Sequence, residues 1–182
     1  MDLTYLHLIL NHIPVIGIII GFLILGWGAL RGYEQVKNTG LVVLLLAGLV
    51  AIPVYLTGEP AEEVVEHLPG VSEQIIERHE DAALYSLVLA IVSGALALLA
   101  LIAKRFMAAK IGVVAIYVCL LVSLIAAGSM VYTAYLGGQI RHSEIRQIQS
   151  GNANAEIQRE KTKKEEDDHS KKSKTTEEDD DH

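Results

Sequence analysis

Charge is what this sequence lacks, and it lacks it in four places. Within the 182-residue chain no Asp, Glu, Lys or Arg occurs in 3–30, 38–58, 82–103 or 111–140. Cysteine is almost absent too. The single Cys119 excludes an internal disulfide and a cysteine metal site, and without a Cys-x-x-Cys-His motif covalent haem attachment is excluded. No stretch alternates polar and apolar residues as a barrel strand would. No nucleophile–base pair, phosphate-binding loop or carboxylate constellation points to an enzyme in its own right. The N-terminus, Met1-Asp2-Leu3-Thr4, has no basic segment before its apolar run, so that run is expected to stay in the membrane rather than act as a cleavable signal.

What is present is apolar: hydrophobic residues make up 51% of the chain. A helix needs about 20 mostly apolar residues to cross a hydrocarbon layer of about 30 Å. The four uncharged stretches are apolar all round, as membrane helices are and soluble surface helices are not. The sequence therefore predicts an all-α, polytopic membrane four-helix bundle. Its spans fall at about 8–30, 38–58, 80–103 and 111–136, within a transmembrane domain of residues 1–149. Lipid is its obligatory partner. Residues 150–182 are dominated by Lys, Glu, Asp, Ser and Thr, a composition with nothing to bury, and are expected to form a disordered charged tail. Cys119 reads as a filler facing lipid or the core.

The formal net charge of −7 hides a segregation. The loops around Arg31–Lys37 and Lys104–Lys110 are basic. The loop between the second and third spans carries Glu59, Glu62, Glu63, Glu66, Glu73, Glu77, Glu80 and Asp81 against Arg78. By the positive-inside rule the basic loops lie in the cytoplasm of an inner (cytoplasmic) membrane, and both termini lie outside. Within the acidic loop a short helix is predicted over Pro60–Leu68, ended by Pro69-Gly70. Ser72 then starts a helix running through His79 into the third span.

Four of the seven histidines carry weight: His7, His12, His79 and His142. At 1.5 Å per residue, counting from the basic loops puts His12 just inside the outer membrane face and His7, His79 and His142 just beyond it. Tyr132 and Tyr135 read as an interfacial belt at that level. Ionisable residues at such depth are a functional signal. Imidazoles from facing helices can hold haem b non-covalently as axial ligands. Arg78 and Arg141, each beside a candidate histidine, could take the propionates. Gly17, Gly21, Gly26 and Gly28 on the first span, and Gly128, Gly137 and Gly138 on the fourth, could let the macrocycle approach. If the last helix continues past the glycines, Gly128, Tyr135, Gly138 and His142 fall near one face. His7 and His12, five apart on one helix, point about 140° apart and so serve different partners. Plainer readings stand beside these. Membrane glycines often mean tight packing, His12 could satisfy backbone groups freed at Pro14, and His67, His79 and His142 could be surface residues. His169 and His182 read as part of the solvated tail.

The opening His7-Leu-Ile-Leu-Asn-His12-Ile-Pro14 resembles that of a family of four-helix membrane proteins defined by a domain of unknown function, DUF2231. Tyr55-Leu-Thr-Gly58, Glu59-Pro-Ala-Glu-Glu63, Arg78-His79-Glu80 and Gly137-Gly138 followed by His142 are similar to it as well. The resemblance covers roughly residues 5–146, with Leu8 where the commonest opening has proline. It implies binding of haem b in a redox setting and falls on His7, His12, His79 and His142. The combined expectation is a cytochrome-like electron-transfer protein holding one or two haem b groups near the outer face. His12 with His79 is the first axial pair and His7 with His142 the second. Quinol, a periplasmic cytochrome or a larger membrane redox complex is the expected partner; nucleic acid is not. The alternatives are a copper- or zinc-binding membrane protein and a cofactor-free structural subunit.

Overall fold

The structure is a computed structural model; it describes residues 3–66, 71–106 and 109–141. Helices in chain order are α1 (Leu3–Leu10), α2 (His12–Arg31), α3 (Glu34–Leu56), α4 (Gly58–Glu66), α5 (Glu73–Phe106) and α6 (Ala109–Arg141). The fold is all-α, and among the described residues four helices are long and apolar enough to cross a membrane. The chain is a multi-pass membrane protein. The predicted tail, His67, Pro69-Gly70 and His142 lie outside the described residues.

The first span runs from Leu3 to Arg31, as its uncharged run suggested. It is interrupted only at Asn11, between α1 and α2, where the backbone keeps helical angles (φ −58°, ψ −28°) and the Asn11 amide still bonds the His7 carbonyl at 2.9 Å. Pro14 is the cause of the interruption: it has no N–H for the Leu10 carbonyl, and its ring crowds that carbonyl. The 20 residues of α2 alone span about 30 Å, the whole hydrocarbon layer. The first turns, α1, pack chiefly on α4. The short helix of the acidic loop begins at Gly58, two residues before its predicted start, with Pro60 in its first turn where no N–H is needed. The Ser72 carbonyl accepts the first bonds of α5, from the Ile75 and Ile76 amides at 3.0 and 3.2 Å. Past Gly137-Gly138, α6 continues unbroken to Arg141.

Neighbours in sequence are neighbours in space: α2 packs on α3, α3 on α5 and α5 on α6, while α6 meets α2 along a thinner seam. The core is built from small side chains. On α5, Ala82, Ser86, Ala90, Ser93, Gly94, Ala97 and Ala100 are buried at three- and four-residue spacing. Such a stripe lets helices approach closely where hydrophobic burial cannot drive them together. Backbones come within touching distance at two such points: a Cβ on Gly40 would lie 2.5 Å from the Leu25 amide nitrogen of α2, and one on Gly48 2.6 Å from the Ala90 carbonyl oxygen of α5. Cys119 is fully buried, its thiol 3.7 Å from the Ser93 carbonyl. The opposite faces carry Leu23, Leu46, Leu99 and Leu121, all 55–61% exposed at mid-span, where lipid is the only favourable solvent.

The basic loops share one end of the bundle. Gly32, at φ 73°, makes the left-handed turn between α2 and α3. Glu34, in the first turn of α3, takes Lys104 at 2.6 Å and Lys37, so one carboxylate ties two helices.

Candidate functional site

The other end carries His7, His12 and His79. On α1, His7 donates its Nδ1–H to the Val54 carbonyl at 3.0 Å; the Thr57 hydroxyl lies 3.3 Å from the same nitrogen. Val54 belongs to the last turn of α3, whose carbonyls have no intrahelical partner. The chain turns at Thr57, whose amide bonds the Pro53 carbonyl and whose hydroxyl reaches the carbonyls of Pro53 and Val54, each at 3.0 Å. His7 thus completes a helix end, and the end in turn fixes the imidazole. The Thr4 hydroxyl, donating to the Pro60 carbonyl at 3.3 Å, holds α1 to α4.

On α5, His79 donates Nδ1–H to the Thr133 carbonyl of α6 at 3.0 Å. Its ring lies over Gly137, where a Cβ would stand 3.1 Å from Cε1 and 3.4 Å from Nδ1. Two turns below His79, Ser86 is 2.6 Å from the Ser129 hydroxyl and 2.8 Å from that of Thr133. Proton direction follows by elimination. The Thr133 hydroxyl donates to the Ser129 carbonyl at 3.1 Å, so it accepts from Ser86, and Ser86 accepts from Ser129. The carbonyl that orients His79 therefore sits on a residue clamped by a closed hydroxyl network.

A carbonyl oxygen can only accept. Both imidazoles are therefore protonated on Nδ1, which leaves Nε2 with a free lone pair in the neutral ring. This is the tautomer and the orienting contact of metal-ligating histidines, whose other nitrogen is characteristically held by a carbonyl or carboxylate. His12, the partner expected for His79, is exposed at the first residue of α2 and makes no hydrogen bond among the described residues.

Arg78 is exposed and donates to the Tyr132 hydroxyl at 3.3 Å. Arg141 closes α6, and its side chain lies outside the described part. The glycines divide: Cβ atoms on Gly17, Gly21 and Gly28 would strike Ala47, Leu44 and Lys37 of α3, so these three serve packing. Gly128 and Gly138 look onto open space, and Gly137 alone makes room for a candidate ligand, His79, while Gly58 lies beside His7. The buried Asn11 Oδ1 at the helix break has no hydrogen-bond partner among the described residues. Burial, together with the neighbouring Glu80, Glu66 and Glu59 carboxyls, pushes the Glu62 carboxyl of α4 up to about 7.

The sequence pointed to the imidazoles but not to what orients them. Thr57, Thr133, Ser86 and Ser129 were missed. A signal existed for Ser86, which stands seven residues after His79 and so shares its helix face.

No protein family, curated protein or solved structure matches this chain.

Proposed function

We propose that this chain is a membrane haem b protein of the electron-transfer kind, in which His7 and His79 would hold the iron. One observation carries the reading: each imidazole gives Nδ1–H to a backbone carbonyl and keeps Nε2 unprotonated. Donor number favours haem over copper or zinc. Among the described residues no cluster of three or more His, Cys, Asp or Glu is placed to hold a bare ion. A zinc site takes four ligands, whereas haem brings four nitrogens of its own and asks the protein for one or two.

Bound there, haem would supply one-electron redox chemistry. The protein's part is orientation. Val54 and Thr133 set the planes of the two rings, Gly137 lets His79 lie flat against α6, and Arg78 offers a cation at the wet surface for a propionate. The resemblance of the His7–Pro14 opening to DUF2231 supports the same assignment. The basic loops argue for a cytoplasmic Arg31–Lys37 end in an inner membrane, with both termini and the histidines outside. The acidic α4 would suit a basic periplasmic redox protein, and quinol or a larger membrane redox complex are the other partners the reading admits.

The test is a reduced-minus-oxidised spectrum of the protein purified in detergent from haem-replete cells. Sharp bands of six-coordinate haem b are expected, lost or converted in His7→Ala and His79→Ala and retained in His12→Ala. A colourless protein refutes the haem, and a spectrum unchanged by His7→Ala refutes the pairing.

A further inference from the structure

Thr57 sits at the joint between α3, which ends at Leu56, and α4, which begins at Gly58. It is only 7% exposed, so its hydroxyl depends on protein partners. Three lie within reach: the Pro53 and Val54 carbonyls, each at 3.0 Å, and His7 Nδ1 at 3.3 Å. A hydroxyl carries one proton and two lone pairs. The proton goes to the carbonyls, which can only accept and which lie nearer. The lone pairs are left for His7. The Nδ1–H of His7 is therefore shared between two acceptors, the Val54 carbonyl at 3.0 Å and the Thr57 oxygen.

The opposite arrangement, with Thr57 donating to a bare Nδ1, would set that lone pair against the Val54 oxygen 3.0 Å away and take the Thr57 proton from its carbonyls. The helix α1 is also held on both sides of the joint. His7 grips Val54 before it, and the Thr4 hydroxyl grips the Pro60 carbonyl beyond it. Gly58 stands between, its Cβ position 3.7 Å from His7 Cε1. The imidazole thus lies where α3 hands over to α4, and a second acceptor there limits its rotation about the bond to Val54. From these contacts we infer that Thr57 is the positioning residue of His7, its hydroxyl oxygen holding the ring as the Nδ1–H tautomer that leaves Nε2 for iron. The inference rests on the haem reading for its purpose, but the tautomer exists and can be read without haem.

The test is nitrogen NMR of the full chain in detergent, labelled at histidine, prepared without haem and held at a pH where the ring is neutral. The His7 signals are identified by their loss in His7→Gln. In the unaltered protein Nδ1 should resonate as a protonated nitrogen and Nε2 as a bare one. In Thr57→Val, which keeps the shape and removes the oxygen, both signals should move toward the average of the two tautomers. Thr57→Ala removes the same oxygen with less bulk and should give the same shift, so the outcome does not hang on one variant folding. Thr57→Ser should restore the unaltered pattern, and His79, whose ring bonds Thr133 instead, should keep its signals throughout. A His7 pattern unchanged by loss of the Thr57 oxygen overturns the inference, as does a shift that Thr57→Ser fails to reverse. A bare Nδ1 in the unaltered protein overturns it too. The two readings fail separately. A colourless protein with the expected nitrogen pattern sinks the haem and upholds Thr57, whereas a haem spectrum with a pattern indifferent to Thr57→Val does the reverse.

Discussion

The imidazole of His79 lies over Gly137: a Cβ there would stand 3.1 Å from Cε1, a few tenths of an ångström closer than ordinary contact. The ring's place is set by the absence of one methyl group as well as by the Thr133 carbonyl.

Gly137→Ala is expected to push the ring off α6 and lengthen the bond to Thr133, at about 1–3 kcal/mol for an overpacked contact. The haem spectrum or midpoint potential should shift, while helical content by circular dichroism stays constant. Gly138→Ala, where a Cβ meets open space, is the matched control and should leave both readouts unchanged.

Ser86→Ala breaks two of the bonds in the hydroxyl network between α5 and α6. Interhelical hydrogen bonds in membrane proteins average about 0.6 kcal/mol and reach about 1.7. Unfolding in mixed detergent–dodecyl sulfate micelles should report a loss in that range. Ser86→Thr, which keeps the hydroxyl, should recover part of it.

Burial and the Glu80, Glu66 and Glu59 carboxyls push the Glu62 carboxyl up to about 7. The sign follows: the fold favours the protonated form, so α4 is held most firmly at acid pH and loosens as pH rises through about 7 and like charges accumulate. Amide exchange in α4 should be slower at acid than at alkaline pH after correction for the intrinsic rate. Glu62→Gln, a permanent donor, should flatten that dependence and protect α4 at alkaline pH.

Glu34→Gln removes the partner shared by Lys37 and Lys104. The site is exposed, so the expected loss is small, about 0–1 kcal/mol, and should vanish in high salt. Thermal unfolding at two ionic strengths measures it.

The four spans were legible because the bilayer imposes one coarse rule, about 20 residues without charge, and composition alone satisfies or breaks it. The histidine end was legible by the same counting. The break at Asn11 was not, although Pro14 signalled it, because the apolar run passes through it without interruption. What holds the His7 and His79 rings was hidden for a different reason. What orients both rings is main-chain oxygen, Val54 and Thr133, and a carbonyl leaves no trace in the residue type that bears it. The small-residue stripe of α5 was written plainly in its alanines, but which helix each would meet depended on the order of packing.

The place of His7 on the first turns of the first span has a bearing on how the protein is made. His7 enters the membrane first, yet the carbonyl it needs lies at the far end of α3, and α4, on which α1 packs, follows that. His79 must wait longer, for Thr133 and Gly137 on the last span. Neither ligand can acquire its orientation from its own helix. The site is thus finished only when the final helix has been inserted, and a cofactor captured there would act as a seal on a chain completely and correctly threaded.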